Sequence, residues 1–119
     1  MRKPELEFHV PDGEWRVPSR SRADGLHEKL LSADADGTAH TRLLRFQPGA
    51  ESSPDGPQVH DFWEEVFIIE GDITDLRLGE RFTGGMYACR PPGMEHGPWR
   101  SENGALMVEF RYGLPPNGD

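Results

Sequence analysis

Turn-forming residues interrupt this chain at short intervals, and this feature limits the folds that the chain can adopt. Clusters of proline, glycine and aspartate stand at residues 11–13, 34–37, 48–49, 84–85 and 91–93. The 119 residues include 14 glycines and 11 prolines, and both residue types destabilise the interior of a helix. The pattern therefore predicts an all-β domain of short strands joined by turns, and it excludes a helical bundle.

The segments between these turns have the composition of strands. Residues Leu26–Ala33 fit a strand or a helix, but together with the turn at 34–37 and the strand-like residues 38–46 they indicate a β-hairpin. The strongest strand signal covers residues 58–70, which Gly71 is expected to close, with residues 72–78 as the partner strand. Further strands are predicted at residues 86–90 and 105–112, and an edge strand is predicted at residues 6–10.

Composition excludes several classes of function. The chain has 13 basic and 21 acidic residues, a net charge of −8, which argues against nucleic acid or an anionic membrane as a partner. Its single cysteine, Cys89, excludes an internal disulfide framework and a cysteine-rich zinc site. The N-terminal residues lack the apolar segment of a secretory signal, and no apolar run approaches the ~20 residues of a membrane helix. We therefore expect a cytoplasmic domain.

Four polar residues have the spacing of a shared site. Gln58, His60 and Glu64 have the same parity along the predicted strand, so all three can point into a barrel. His96 follows a Pro-Pro-Gly turn and meets them if its strand lies beside theirs. Two imidazoles and a carboxylate suffice to bind Zn²⁺, Fe²⁺, Mn²⁺ or Ni²⁺ and leave positions open for substrate. Taken singly, each of these residues more often has a structural or surface role, and Glu65, of the wrong parity, is a rival carboxylate.

Other side chains are candidates for the walls of such a site. The aromatic and methionine candidates are Phe62, Trp63, Tyr87, Met94 and Trp99, each of which ordinary packing would also explain. Four arginines, Arg42, Arg90, Arg100 and Arg111, are candidates for binding an acidic substrate, although most arginines in so acidic a chain pair with surface carboxylates. Cys89 lies on a short predicted strand, where it is expected to face the barrel as a small buried residue.

Two motifs at this site resemble those of the cupins, a family of small β-barrels. The first cupin motif is G-x5-H-x-H-x3,4-E-x6-G, and the chain has Gln58-x-His60-x3-Glu64-x6-Gly71, with Gln58 in place of the first histidine. The second motif is G-x5-P-x-G-x2-H-x3-N, and the chain has Gly85-x5-Pro91-x-Gly93-x2-His96, with Arg100 in place of the final asparagine. The resemblance spans residues 58–100 and rests on two motifs at the expected separation.

The resemblance implies a fold and a metal site. The expected fold is the double-stranded β-helix of cupins, a jelly-roll-like barrel, formed by one domain over residues 1–119. Within it we expect an extended N-terminal arm at 1–24, the barrel at 25–112 and a frayed tail at 113–119. His60, Glu64 and His96 match metal-ligand positions of the family, and Gln58 is expected to be a weak fourth ligand or to hydrogen-bond a bound molecule.

The resemblance to cupin dioxygenases also implies a reaction class. We expect one divalent ion, with Fe²⁺ favoured and Zn²⁺, Mn²⁺ or Ni²⁺ as alternatives, and a small chelating substrate such as a diketone or an enol. Glu64 and Arg100 are the expected catalytic residues, with Arg100 neutralising the bound enolate. A non-redox isomerase, cyclase, lyase or rearrangement enzyme of small-molecule biosynthesis is an alternative, and so is a barrel that binds a small ligand without catalysis. Cupins often pair, so a homodimer is expected, with residues 6–10 as a candidate contact.

Overall fold

The computed structural model describes residues 2–19 and 21–114, and its regular structure begins with the predicted hairpin. Strands β1 (Leu26–Ala33) and β2 (Ala39–Phe46) pair antiparallel. The carboxylate of Asp34 closes the turn between them, because it accepts hydrogen bonds from the backbone N–H groups of Thr38 and Ala39 and from the Thr38 hydroxyl. The turn chemistry thus resolves the strand-or-helix ambiguity of residues 26–33 in favour of a strand.

Seven further strands follow within the described residues. They are β3 (Gln58–Val59), β4 (Trp63–Asp75), β5 (Glu80–Thr83), β6 (Tyr87–Arg90), β7 (Glu95–His96), β8 (Trp99–Arg100) and β9 (Ala105–Tyr112), and one 3-10 turn covers Ser53–Asp55. The main antiparallel sheet has the order β1-β2-β9-β4-β5, and β6 and β8 also pair with β4. Strands β3 and β7 form a second, two-stranded sheet. The main sheet curls into a half-barrel, so the prediction of an all-β fold is confirmed.

The central strand differs from the prediction of one strand over residues 58–70 with a partner at 72–78. The chain leaves the strand conformation at residues 60–62, and β4 then continues through Gly71 to Asp75. The first part of β4 pairs with β6 and β9, and its last residues pair with β5 and β8. The turn comes only after Asp75, whose carboxylate accepts hydrogen bonds from the backbone N–H groups of residues 77 and 78. Gly71 therefore does not end a strand but lies where β4 passes from one set of partners to the other.

Gly71 is required there because nothing larger fits. Its φ is +91°, and an added Cβ would lie 2.0 Å from the carbonyl oxygen of Gly104. We expect Gly71→Ala to lower the free energy of unfolding by about 2–3 kcal/mol, from left-handed strain and steric overlap together. The matched control is Gly79→Ala, which has φ +70° but nothing within 4 Å of the added Cβ and should cost only about 1 kcal/mol. Equal urea midpoints for the two variants would contradict this explanation.

The inner wall of the barrel changes character along the strands. One half is apolar, with Leu44 and Phe46 on β2, Val66 and Ile68 on β4, and Met107 on β9 packed together in the buried core. The other half is charged, and its inward residues are Arg42 on β2, Glu64 at the start of β4, and Glu109 and Arg111 at the end of β9. The strand register sets these charged residues side by side, since Arg42 pairs with Glu109 and Glu64 pairs with Arg111. The barrel thus has an apolar floor and a polar mouth.

The N-terminal arm does not contain the predicted edge strand. Residues 6–10 have no strand conformation, and the side chains of Leu6, Phe8 and Val10 are 56%, 101% and 88% exposed. The arm meets the sheet later, through the bridge of Arg16 with Glu28 and the stacking of Arg45 on Trp15. Residues 11–13, where a turn was predicted, have neither turn nor strand conformation, so this segment does not fold residues 6–10 back into a hairpin. Residues 115–119 of the predicted tail lie outside the described residues. Across the described ranges, no helix has the length and apolarity to cross a membrane.

Candidate metal centre

Three side chains of the polar half point at one another. Each of His60, Glu64 and His96 contributes a potential ligand atom, and these atoms all lie within 4.8 Å of one another. His60 stands in the break between β3 and β4, Glu64 is the second residue of β4, and His96 ends β7. In the two-stranded sheet His96 is the direct partner of Gln58, so the condition under which His96 meets the other residues is fulfilled.

The turn that precedes His96 fixes its position. Gly93 has φ +87° and closes the Pro-Pro-Gly turn, and its backbone N–H donates a hydrogen bond of 2.8 Å to the carbonyl of His60. A main-chain hydrogen bond therefore links the turn before His96 directly to His60. Their ring centroids are 5.0 Å apart, and the His60 ring also stacks on Phe62 at 4.4 Å. The turn of the second motif thus holds the His96 imidazole close to the His60 imidazole.

The distances between these atoms suit a shared cation. His60 Nε2 lies 3.4 Å from Glu64 Oε2, and His96 Nε2 lies 3.5 Å from Glu64 Oε1. Two ligands that bind one zinc ion at ~2.0–2.1 Å are about 3.0–3.4 Å apart. His60 Nε2 is buried and has no hydrogen-bond partner among residues 2–19 and 21–114. His96 Nδ1 is 3.3 Å from the Met94 carbonyl, which only accepts, so Nδ1 carries the proton and Nε2 presents its lone pair to the site. These residues fit a divalent metal ion.

The electrostatics favour the forms of these side chains that bind metal. Burial raises the pKa of Glu64, but the adjacent His60, Arg111, His96 and Arg90 outweigh this and lower the pKa below the ordinary glutamate value. Burial lowers the pKa of His96, and the charge of Arg90 adds to this effect, against the opposing charge of Glu64. Near neutral pH the site therefore presents a carboxylate and a neutral imidazole, the protonation states that ligation requires.

Two buried arginines also contact Glu64. Arg90 Nη1 donates a hydrogen bond of 2.7 Å to Oε1, and Arg111 Nη2 lies 3.1 Å from Oε2. Their side chains are only 12% and 20% exposed, so they are not the surface partners that arginines in an acidic chain usually are. Each also lies over an aromatic ring, Arg90 over Trp99 and Arg111 over Phe62. The carboxylate oxygens keep lone pairs for a cation, because each can accept more than one partner.

The arginines belong to a longer chain of buried charges. Glu109, 3% exposed, accepts a hydrogen bond of 2.8 Å from Arg42 and lies 2.6 Å from Nε of Arg111. Arg42 also contacts Glu28, which in turn pairs with Arg16 at the surface. Sequence reasoning missed this network. The sequence of β9 did contain a signal for it, because Glu109 and Arg111 have the same parity as the buried Met107. The residues of the opposite parity are apolar, however, and hydrophobic alternation would assign those to the buried face.

A cavity of about 680 Å³ opens onto the three candidate ligands. Its walls include Phe62, Trp99, Gln58 and the arginines at positions 42, 90 and 111, and its floor includes Leu44, Val66 and Met107. A second cavity of about 180 Å³ adjoins it and is lined largely by apolar side chains, among them Ile68, Phe82 and Met94. The two share Arg90, His96 and Trp99 as walls. The larger cavity has the volume of a small-molecule site.

Comparison with known proteins identifies the family. Residues 7–113 match the family model described as the ChrR cupin-like domain. The chain belongs to this family of cupins. No curated protein matches its sequence. A divalent metal ion is a general feature of cupins, and the His60, Glu64 and His96 group could hold one.

Solved cupins confirm the fold. An RmlC-like cupin from Shewanella frigidimarina is 18% identical and matches over 96% of both chains with a TM-score of 0.71. An acetylacetone dioxygenase from Acinetobacter johnsonii is 15% identical over 98% of this chain and 82% of the other, with a TM-score of 0.71. The polyketide cyclase RemF from Streptomyces resistomycificus is 14% identical over 91% and 79%, with a TM-score of 0.70. At these identities the likeness shows the double-stranded β-helix fold alone.

Most of the remaining predicted site residues of this cupin line one of the two cavities, and Trp63 does not. Gln58 lines the cavity, with its amide nitrogen 3.4 Å from the carbonyls of Asp55 and Gly56, and its role as a fourth ligand stays a prediction. Phe62 and Trp99 line the larger cavity, and Tyr87, Met94 and Trp99 line the second. Trp63 faces outward, 40% exposed, and stacks on Tyr112.

The structure places Arg100 away from the candidate ligands, so its catalytic role stays a prediction, and it shows that Cys89 is not the buried residue that was expected. Arg100 is absent from the cavity walls, and its guanidinium contacts Glu51, Glu102 and the carbonyl of Gly49. The reason is alternation: Trp99 faces the cavity, so the next residue of β8 faces away. Arg90 and Arg111 stand beside the candidate ligands instead. Cys89 is exposed because β6 turns its neighbours Ala88 and Arg90 inward.

Proposed function

We propose that this cupin is a metal-dependent enzyme, a dioxygenase-type oxidoreductase whose small substrate offers two oxygens to the ion, as a diketone or an enol does. One observation carries the proposal: three ligand atoms of complementary type lie within 4.8 Å of one another on the wall of a cavity of about 680 Å³. Three protein ligands leave coordination positions for a substrate and for dioxygen. The likeness in fold to an acetylacetone dioxygenase supports this reaction class.

The chain's own residues would orient the substrate and control its charge. A divalent ion held by His60, Glu64 and His96 would supply Lewis-acid chemistry, and Fe²⁺ would add redox chemistry with dioxygen. Arg90 and Arg111 place guanidinium donors next to the ligand group, where they can stabilise negative charge on an enolised substrate. Glu64 fixes both guanidiniums, so its proposed roles are those of a ligand and an anchor. Gln58, on the same wall, would be a weak fourth ligand or a hydrogen-bond partner of the bound molecule.

Non-redox catalysis by the same site is the second candidate, with Zn²⁺, Mn²⁺ or Ni²⁺ as the ion. The observation that favours it is the pair of buried arginines at Glu64, because enolate stabilisation by two guanidiniums needs no electron transfer. The likeness in fold to a polyketide cyclase is consistent with an isomerase, cyclase or lyase of this kind. The third candidate function is a barrel that binds a small ligand without catalysis. The observation that favours it is Gln58, which replaces the first histidine of the cupin motif and so removes one metal ligand.

Oxygen uptake distinguishes these candidates. We expect protein reconstituted with Fe²⁺ to consume one dioxygen for each acetylacetone that disappears, measured with an oxygen electrode and by the loss of diketone absorbance. His96→Ala should reduce the rate by more than about 100-fold, because it removes a ligand. His27→Ala, on β1 and outside the cavity walls, is the matched control and should keep the rate.

The other outcomes assign the other functions. Conversion of the diketone by the Zn²⁺-loaded protein without oxygen uptake would replace the dioxygenase with the non-redox enzyme. Tight binding without conversion under either metal would favour the binding module.

The homodimer stays a prediction, and the exposed apolar side chains of Leu6, Phe8 and Val10 are available for such a contact.

A further inference from the structure

We infer that the ligand of this centre is an oxo-carboxylate anion, whose carboxylate binds Arg90 and Arg111 beside the metal ion. The inference rests on the proposed function and names the substrate class of the same site. Guanidinium forks match carboxylates in geometry as well as in charge. Both arginines are held in place before any ligand arrives, through Glu64 and through the rings of Trp99 and Phe62 at 5.1 and 5.0 Å.

The balance of buried charges favours an anionic ligand once a metal ion is bound. The inner part of the network consists of three largely buried guanidiniums and three buried carboxylates: Arg42, Arg90 and Arg111 with Glu28, Glu64 and Glu109. The further partner of Glu28, Arg16, is 66% exposed, so solvent screens its charge. The charges of these six buried groups cancel. A divalent ion then contributes two positive charges to a site whose ligand residues are mostly buried. Unbalanced charge is costly in such surroundings, so the centre favours a ligand that carries negative charge.

The donors of the two arginines are only partly used by the protein. A guanidinium has five N–H donors. Among the described residues, the carboxylate partner of Arg90 is Glu64 alone, at 2.7 Å through Nη1. Arg111 contacts Glu64 and Glu109. Both side chains line the larger cavity, so their remaining donors can reach a molecule that also reaches the ligand atoms. A chelating ketone oxygen next to a carboxylate satisfies both requirements at once.

Two probes with the same number of non-hydrogen atoms test this inference. Acetylacetone and acetoacetate both offer two chelating oxygens, but acetoacetate carries a permanent negative charge. We expect Zn²⁺-loaded protein to bind acetoacetate at least about tenfold more tightly near neutral pH, measured by calorimetry without turnover. Arg90→Gln and Arg111→Gln should each weaken acetoacetate binding by about 10- to 100-fold, the loss of a charge-assisted pair, and weaken acetylacetone binding by a smaller factor, so that the preference for acetoacetate falls.

Control variants keep the outcome decisive. Arg81→Gln, an exposed arginine on β5 that pairs with Asp72, should bind both probes like the wild type. Arg90→Lys and Arg111→Lys preserve the charge without the fork, and should lose part of the preference even where a glutamine variant fails to fold. A wild type that retains Zn²⁺ but shows no arginine-dependent preference for acetoacetate overturns the inference and leaves the proposed function standing. A wild type that does not retain Zn²⁺ overturns both.

Discussion

Glu109→Gln should lower the free energy of unfolding by about 3–5 kcal/mol, the cost of removing one partner from a buried ion pair. Glu109 is 3% exposed and contacts both Arg42 and Arg111. The substitution keeps the shape of the side chain but leaves two buried guanidiniums with less negative charge between them. Because Arg42 still contacts Glu28 and Arg111 still contacts Glu64, we expect a less stable fold and not a lost one.

Glu102→Gln is the matched control for this effect. Glu102 pairs with Arg100 at 3.8 Å, but its side chain is 70% exposed, so solvent screens the pair. We expect a change of less than about 0.5 kcal/mol, as is usual for surface ion pairs. Urea unfolding followed by tryptophan fluorescence compares the two variants with the wild type. Similar midpoints for Glu102→Gln and Glu109→Gln would mean that the charged half of the barrel contributes little to stability.

Removal of either histidine should abolish metal retention. His60→Ala and His96→Ala each delete one of three candidate ligands, and we expect each to lower the affinity for Zn²⁺ by more than about 100-fold, measured by competition with a chromophoric chelator. Glu64→Gln should have an effect of the same kind, because it replaces the anionic ligand and also releases Arg90 and Arg111. His27→Ala should retain metal like the wild type. Equal metal content in all four variants would refute the ligand assignment.

The site was more predictable from the sequence than the strands that carry it. The grouping of the three candidate ligands could be predicted because the Pro-Pro-Gly turn and the residues around His60 are local features, fixed by turn chemistry and motif spacing. The prediction that Gly71 closes the strand was wrong, because the break at 60–62 and the continuation through Gly71 depend on pairing with strands far along the chain. The parity argument nevertheless placed Glu64 on the inward face, and Glu64 is buried there as the second residue of β4.

The charged inner wall could not be predicted from hydrophobic alternation. In β9 the apolar residues Leu106, Val108, Phe110 and Tyr112 alternate with inward-facing Met107, Glu109 and Arg111. An amphipathic strand is expected to turn its apolar face inward, and here Phe110 is 39% exposed while Glu109 is buried. The inversion is stable because the inward charges pair with residues of β2 and β4, and those partners are distant in sequence. The same tertiary pairing explains why Arg90 and Arg111, and not Arg100, reach the candidate ligands.

Anomalous diffraction from crystals grown with Zn²⁺ tests the central claim most directly. A single strong peak is expected between the three side chains, at about 2.0–2.2 Å from the Nε2 atoms of His60 and His96 and from a carboxylate oxygen of Glu64. A peak bound by other residues, or zinc-containing crystals without a peak between these three side chains, would contradict the account.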